Sequence, residues 1–234
     1  MEIHVLSFNI HKGFAAFGRE STLERIRGAV RSTDAHILCL QEVAGGASGA
    51  QFEFLADSVW HHHAYGQNAV YDSGHHGNAV LSKFPITAWE NIDISTNAFE
   101  RRGMLHVTLD VEGRPLHVVT VHLNLFEGGR RVQLQHLEER LESHVPATEA
   151  LIVAGDFNDW RRNATPILAK MGLEECFVKT QGREASTFPV QFPALCLDRI
   201  YVRGLEVGTA KVCLGGDWNQ LSDHAALLAA LLWR

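Results

Sequence analysis

Apolar and polar residues alternate with different periods along the chain, and these periods predict strands interspersed with helices. Residues 105–111 alternate apolar and polar, turn at Glu112-Gly113 and return through residues 116–122, which predicts an antiparallel hairpin. Short apolar runs typical of buried strands lie at residues 3–9, 37–40, 77–82, 151–154, 197–202, 205–214 and 224–233. The chain is therefore expected to be rich in strands.

Helices are predicted from capping patterns and from apolar spacing. Ser21 is followed three residues later by Glu24, the pattern of a capping box, which predicts a helix over residues 22–32. Apolar residues near helical spacing in a charged segment predict an amphipathic helix that covers a sheet: Val132, Leu134, Leu137 and Leu141. The remaining predicted helices are residues 51–60 and a segment from Thr165-Pro166 to Gly172.

These elements favour one layered domain. Roughly ten strands exceed what a single open sheet comfortably holds. We expect an α/β (α+β) fold, a four-layer αββα sandwich in which two mixed, mostly antiparallel sheets pack face to face with helices outside. Because no linker interrupts the pattern, residues 1–234 are expected to form a single domain. The segments VLSFN (residues 5–9) and VAGDFN (residues 153–158) are compatible with two similar half-folds about a pseudo-twofold axis.

Composition narrows the class of protein. The chain has no stretch of about 18 apolar residues, and its first residues lack the pattern of a signal peptide, so no transmembrane segment is expected. Its four cysteines lack C-x-x-C spacing, which favours a reduced, cytoplasmic protein. The protein is also expected to be a monomer. A net charge of −6 argues against a broadly basic nucleic-acid binder. Three arginine pairs could supply a local basic cleft if they converge, although any single pair is more often solvated at the surface: Arg101-Arg102, Arg130-Arg131 and Arg161-Arg162.

The most informative polar residues follow or precede apolar runs. Asp156 and Asn158 come directly after the run at residues 151–154, and Asp223-His224 precedes the final run. Strand ends are where α/β proteins place their chemistry. A carboxylate and an amide at one strand end, with an acid and a base at another, suggest metal-assisted attack on a phosphate ester.

Further candidates lie at other strand ends and are individually ambiguous. Glu42 and Asn9 end two predicted strands, although a terminal Glu is commonly solvated and Asn is common in turns. His122 and Asn124 close a hairpin strand, where a histidine is more often structural than catalytic. Asp198 opens a strand in an apolar neighbourhood, where an unpaired charge is costly. A histidine is its natural partner, and His224 is the best candidate.

In order along the chain, several short segments resemble one known superfamily. They are LSFNIHKG (6–13), LCLQEV (38–43), HHGNAVLSKFPI (75–86), TVHLN (120–124), AGDFND (154–159), LDRIYV (197–202) and LSDHAAL (221–227). Together they resemble the endonuclease/exonuclease/phosphatase superfamily, which includes apurinic endonucleases, pancreatic-type deoxyribonucleases, neutral sphingomyelinases and inositol polyphosphate 5-phosphatases. FNIHKGF, GHHGNAVLSKFPI, GDFNDWR and TFPVQFP are most similar to a small bacterial branch of uncharacterised metal-dependent hydrolases.

The resemblance implies a metal-dependent phosphoesterase. Glu42 resembles the principal metal carboxylate, with Asn9 beside it contacting metal or phosphate and Asp223 as the acid near the metal. The implied cofactor is Mg²⁺, with Mn²⁺ as a substitute, because hard cations prefer oxygen ligands. The implied substrate is a phosphate ester in a nucleic acid, a phospholipid head group or a small molecule.

The resemblance also implies catalytic roles. Asp156 and Asn158 resemble the pair that positions the attacking water and the phosphate oxygens. His224 resembles the histidine that binds the scissile phosphate or handles a proton, with Asp198 orienting it. His122 and Asn124 resemble phosphate-contacting or proton-transferring groups. The expected mechanism is in-line attack of water on phosphorus, with either Asp156 or His224 as general base.

The sequence leaves the substrate open. Specificity is expected to come from loops at residues 13–19, 43–50, 65–76 and 183–194. Trp160 could stack on a base or sugar, although a packed tryptophan is equally common. A lipid or small-molecule phosphodiesterase or phosphatase competes with a nuclease. A non-catalytic module that binds a phosphate ligand is the alternative from another class.

Overall fold

In the computed structural model, residues 1–16, 20–46, 49–71 and 74–233 are described, and they form two six-stranded sheets. The first sheet contains β1 (Glu2–Asn9), β2 (Ile37–Gly45), β3 (His62–Tyr71), β4 (Gly74–Ser82), β11 (Glu206–Cys213) and β12 (Ala226–Leu232). The second contains β5 (Ile86–Asp93), β6 (Gly103–Val111), β7 (Arg114–His122), β8 (Ala150–Asp156), β9 (Glu174–Glu175) and β10 (Asp198–Arg203). The strand orders are β11-β12-β1-β2-β4-β3 and β5-β6-β7-β8-β10-β9.

The two sheets repeat one pattern of strand directions. In the first sheet β1 is parallel to β2 and antiparallel to β12, and in the second β8 is parallel to β7 and antiparallel to β10. The other described pairs are antiparallel. Both sheets are therefore mixed and mostly antiparallel, as expected. The two Phe-Asn pairs, Phe8-Asn9 and Phe157-Asn158, lie at the ends of the equivalent strands β1 and β8.

Alternating side chains place the strands in a four-layer sandwich. On β1, Ile3 and Val5 lie in the cluster between the sheets, where they meet Leu105 and Ile152 of the second sheet. The helices are α1 (Leu23–Ser32), α2 (Gln51–Ala56), α3 (Glu127–His144), α4 (Ala164–Ala169) and α5 (Cys176–Gln181). Apolar residues of α1 and α2 pack on the outer face of the first sheet, and those of α3 and α4 pack on the outer face of the second. The expected αββα architecture is confirmed.

Several local predictions are wrong. Residues 65–76 were expected to be a loop, but β3 and β4 extend through this segment to Tyr71 and from Gly74. β2 continues to Gly45, past the predicted end at residue 40, and α2 ends at Ala56 rather than at residue 60. β5 and α5 have no counterpart among the predicted elements. The parts of the predicted loops at residues 17–19, 47–48 and 72–73 lie outside the described residues.

The predicted capping box does not form. Thr22 is the N-cap residue of α1, and its hydroxyl donates to the carbonyl oxygen of Leu221 at 2.7 Å instead of capping the helix. Glu24 forms an ion pair with Arg27 at 3.0 Å. The N-terminus of α1 is thus fixed by a contact with the segment that precedes β12. No helix among the described residues is long and apolar enough to cross a membrane.

Candidate active site

Strand register brings three of the predicted site residues side by side. Asp156 at the end of β8 is directly opposite His122 on β7 and directly opposite Asp198 on β10. Gly155 permits this close approach, because its φ is +146° and a Cβ there would lie 2.0 Å from the carbonyl oxygen of Val121. Asp156 is therefore the central carboxylate of the candidate site.

The Asp156 carboxylate is buried and held at both oxygens. Oδ2 accepts a hydrogen bond from Asn9 Nδ2 at 3.1 Å, and Oδ1 accepts from the backbone N–H of Asn158 at 2.9 Å. Burial raises the pKa of Asp156 to about 6. A buried carboxylate with a pKa near the working pH has the property needed in a general base.

His224 connects two carboxylates. Its Nδ1 lies 2.9 Å from Asp198 Oδ2, and its Nε2 lies 3.7 Å from Asp156 Oδ2. Burial lowers the pKa of His224, but the carboxylates of Asp198 and Asp156 outweigh burial and raise that pKa to about 10. His224 is thus an imidazolium at neutral pH in this arrangement, and it can donate hydrogen bonds from both ring nitrogens.

His122 lies near the same oxygen of Asp156 as His224, but it is neutral. Arg102 Nη1 lies 3.1 Å from His122 Nδ1. A guanidinium only donates, so Nδ1 of His122 is an acceptor and the ring proton is on Nε2. Burial, reinforced by the charge of Arg102, holds the pKa of His122 well below its usual value. Its neutral Nε2–H lies 3.4 Å from Asp156 Oδ2. Glu100 Oε1 in turn accepts from Arg102 Nη2 at 2.6 Å.

Two further carboxylates, those of Glu42 and Asp223, line a cavity that Asp156 also lines. Glu42 lies at a bulge in β2, has a left-handed φ of +54°, and its side chain is 19% exposed. Its nearest cation is Lys12, whose Nζ is 3.7 Å from Glu42 Oε2. Asp223 accepts from the Ser222 hydroxyl at 3.2 Å, and its Oδ1 lies 4.0 Å from His11 Nδ1. Bulges and left-handed backbone conformations are enriched at functional sites, so Glu42 stays a candidate site residue.

Both polar and apolar side chains line this cavity, which has a volume of about 310 Å³. The polar lining consists of Glu42, Arg102, His122, Asp156, Asn158, Asp223 and His224. The apolar lining consists of Leu125, Trp160, Phe188, Leu195 and Leu197. A ligand in this cavity can therefore contact the polar side chains with a charged group and the apolar side chains with an apolar group.

Oxygen donors for a hard cation are present at the polar lining. Glu42 and Asp223 each present a carboxylate to the cavity. Among the described residues, Asp156, Asp198 and His224 also place potential ligand atoms within 4.8 Å of one another. In this second group His224 Nδ1 is hydrogen-bonded to Asp198 at 2.9 Å, whereas its Nε2 lies 3.7 Å from Asp156, beyond hydrogen-bond distance.

Some residues that were singled out in the sequence lie apart from this cavity. Asn124 is buried, its Oδ1 accepts from the backbone N–H of Phe126 at 2.8 Å, and its Nδ2 is 3.3 Å from Thr96 Oγ1. Its side chain thus holds the loop that leads into α3. Of the residues in the three arginine pairs, Arg102 lines the cavity, whereas Arg161 pairs with Glu127 at 2.6 Å.

Sequence reasoning missed Glu100, Phe188 and Leu195. Glu100 joins the site through its ion pair with Arg102, which lines the cavity, and Phe188 through its ring contact with His224. No local pattern in the sequence distinguishes these residues.

Comparisons with known proteins identify the family of this chain. The profile of the Endonuclease/Exonuclease/phosphatase family matches residues 6–224. The uncharacterised protein YbhP of Escherichia coli is 46% identical to this chain, over 97% of the chain and 95% of YbhP.

Solved structures show the same fold. An endonuclease/exonuclease/phosphatase from Beutenbergia cavernae is similar with a TM-score of 0.85 and 21% identity, covering 99% of this chain and 72% of that one. A mannosyl-6-phosphatase from Bacteroides thetaiotaomicron is similar with a TM-score of 0.74 and 18% identity, covering 99% of this chain and 100% of that one. The family match and the YbhP relationship together show that this chain belongs to the endonuclease/exonuclease/phosphatase family, whose members hydrolyse phosphoester bonds.

Proposed function

We propose that this protein hydrolyses phosphate esters, phosphodiesters included, by in-line attack of an activated water with the help of a divalent cation. The observation that carries the proposal is the buried Asp156 carboxylate, which lies between a cationic His224 and a neutral His122 in a cavity that Glu42 and Asp223 also line. Membership of a phosphoesterase family supports the reaction class.

In this proposal Asp156 is the general base. Its pKa of about 6 leaves it ionised at neutral pH, yet basic enough to accept a proton from water. Asn9 and the backbone N–H of Asn158 hold the carboxylate in place, 3.1 and 2.9 Å away. Positioned proton transfer of this kind contributes about 10²–10⁴-fold to rate.

His224 and His122 supply donors for the phosphate oxygens. His224 carries a positive charge that stabilises negative charge developing on a phosphoryl oxygen, and Asp198 fixes its ring through the 2.9 Å hydrogen bond. His122 offers an uncharged Nε2–H, because Arg102 occupies its Nδ1. We therefore favour Asp156 over His224 as the general base, because a protonated His224 cannot accept another proton.

The donor set fits a hard divalent cation. Glu42, Asp156 and Asp223 bring three carboxylates to a cavity whose own cations are Arg102 and His224, so a bound divalent cation would add to the positive charge that an anionic substrate meets. Glu42 and Asp223 would hold it, with Asn9 close by through its bond to Asp156. When bound, Mg²⁺ or Mn²⁺ would neutralise charge on the phosphoryl and leaving oxygens.

Hydrolysis of bis-p-nitrophenyl phosphate tests the proposal. We expect release of p-nitrophenol with Mg²⁺ or Mn²⁺ and its loss in excess EDTA. Asp156→Asn and His224→Ala should each lower kcat by at least about 100-fold. His61→Ala, at an exposed histidine, is the matched control and should keep the full rate. Activity that survives EDTA, or that is equal in Asp156→Asn and the wild type, would contradict the proposal.

A panel of substrates would then define the ester. Plasmid DNA, an abasic oligonucleotide, RNA, sphingomyelin, other phospholipids and inositol phosphates represent the classes that the family fold accommodates. Activity that is lost in Asp156→Asn identifies the genuine substrate.

A further inference from the structure

Trp160 is a partly exposed aromatic residue of the candidate site. It follows the segment that carries Asp156 and Asn158, lines the same cavity as both, and is 44% exposed. The proposed hydrolysis of the phosphate group has no role for this side chain. A large aromatic ring left partly open in the same cavity as these polar groups therefore requires its own explanation.

One face of the Trp160 ring is covered by the guanidinium of Arg130. The guanidinium carbon of Arg130 lies 4.5 Å from the ring centroid, which is a cation–π contact. Arg130 belongs to α3, is only 2% exposed, and donates to the carbonyl oxygens of Leu125 and Asn124 at 2.5 and 3.2 Å. Because Arg130 is itself fixed, the indole is supported on a rigid base and loses little entropy when a ligand binds.

The other apolar residues of the cavity lining are Leu125, Phe188, Leu195 and Leu197. Leu125 and Leu195 are half-exposed or nearly so, and the Phe188 ring lies 5.0 Å from that of His224. The cavity volume of about 310 Å³ is at the lower end of the range for small-ligand pockets, about 300–1,000 Å³. The cavity thus has room beside the catalytic groups for one ring-sized substituent.

We propose that Trp160, supported by Arg130, is a specificity-determining residue that stacks on a planar aromatic ring of the phosphate ester. The proposal rests on the proposed function and names its substrate class: esters in which an aryl group or a nucleobase lies within reach of the phosphate. A flat, fixed indole matches a planar ring better than a flexible chain, since stacking needs two parallel faces.

Binding of non-hydrolysable phosphonates tests this subsite without turnover. Isothermal titration calorimetry with Mg²⁺ present would compare methylphosphonate, cyclohexylphosphonate and phenylphosphonate. We expect the wild type to bind phenylphosphonate about tenfold more tightly than methylphosphonate, with cyclohexylphosphonate in between. Trp160→Ala should abolish the preference and leave the Kd of methylphosphonate unchanged.

Two further variants keep the result interpretable. Trp160→Phe keeps an aromatic ring and should retain most of the preference, even if the alanine variant is less stable. Trp89→Ala is the matched control, because Trp89 is 54% exposed and lies on β5 outside this cavity. It should bind all three phosphonates like the wild type.

The outcomes separate the two proposals. If the wild type binds methylphosphonate and phenylphosphonate equally, the stacking role of Trp160 is wrong while the phosphate site stands. If cyclohexylphosphonate binds as tightly as phenylphosphonate, the apolar lining is a general apolar surface, and a planar ring is not the preferred substituent. If no phosphonate binds, the phosphate site is wrong, and the proposed function fails together with the subsite.

Discussion

At the scale of single residues, the candidate site depends on two histidines that differ in charge. His224 is cationic because Asp198 and Asp156 outweigh its burial, whereas His122 is neutral because burial and Arg102 act in the same direction. Both rings face the same oxygen, Oδ2 of Asp156, at 3.7 and 3.4 Å. One carboxylate thus has a charged and an uncharged donor beside it, which suits a base next to an anionic substrate.

His224 and Asp198 are expected to act as a unit. If Asp198 fixes the imidazole through the 2.9 Å bond, then Asp198→Asn, His224→Ala and the double variant should show similar, non-additive losses of kcat. His224→Ala should cost at least as much as Asp198→Asn, because it removes the donor itself. Steady-state kinetics on bis-p-nitrophenyl phosphate gives the three values. Losses that multiply would show that Asp198 acts independently of His224.

Glu42 is the residue on which metal binding is expected to depend most. Replacing Glu42 by Gln removes a carboxylate ligand but keeps the size of the side chain, so Mg²⁺ affinity should fall by at least about tenfold and kcat should fall with it. Calorimetric titration of Mg²⁺ measures the affinity directly. Glu90→Gln, at an exposed glutamate on β5, is the control. An unchanged Mg²⁺ affinity in Glu42→Gln would place the cation elsewhere.

At the scale of elements, a buried acid caps a short helix. Glu175 precedes α5, is buried, and its Oε2 accepts from the backbone N–H of Val178 at 2.6 Å. Burial raises the pKa of Glu175 to about 7, while the Val178 N–H and Arg199 favour its charged form and Glu184 opposes it. Glu175 therefore stays protonated in the fold at a pH where the unfolded chain has lost the proton.

This acid makes stability depend on pH. An acid whose pKa is raised in the fold stabilises the fold fully below its unfolded pKa, which is 4.5 for Glu175. That stabilisation is lost as the pH rises to the folded pKa of about 7. Glu175→Gln keeps the cap but cannot titrate. Between pH 4.5 and about 7, the free energy of unfolding of the wild type should therefore fall by about 3 kcal/mol relative to that of the variant. Urea unfolding at several pH values measures the difference. A difference that does not vary with pH would contradict the raised pKa.

The strands that could be predicted from the sequence are those whose side chains are buried and apolar. β1, β7 and β8 are almost wholly buried and apolar, so the sequence alone indicates them. β3 and β5 lie at sheet edges with mostly open faces, so their residues lack an apolar period.

The same limit applies to the candidate site. The strand-end positions of Asp156 and Asp198 could be predicted, whereas the contact of Arg102 with His122 requires the register of β6 and β7.

At the scale of the whole molecule, the site lies where polar bridges cross between the two sheets. Asn9 on β1 reaches Asp156 on β8, and Gln41 on β2 donates to the Thr120 hydroxyl on β7 at 2.9 Å. Asn78 on β4 donates to the carbonyl oxygen of Gly103 on β6, also at 2.9 Å. The rest of the interior between the sheets is largely apolar, so it does not fix their relative position with directional contacts.

Gln41 tests whether these bridges position the site. Its side chain is fully buried and its Oε1 has no partner, which costs stability and points to a role in alignment. Gln41→Leu leaves the Thr120 hydroxyl without its donor and should lower the free energy of unfolding by about 1–3 kcal/mol. Adding Thr120→Val removes both polar groups and should restore most of that stability.

Activity should not recover in the double variant. Asn9 and Glu42 belong to the first sheet and Asp156 to the second, so a small shift between the sheets separates the groups that must meet at one phosphate. We expect kcat on bis-p-nitrophenyl phosphate to stay at least about tenfold below the wild type while urea unfolding returns near the wild-type value. If activity returns together with stability, the Gln41 bridge only stabilises the fold, and packing of the two apolar faces is sufficient to align the site.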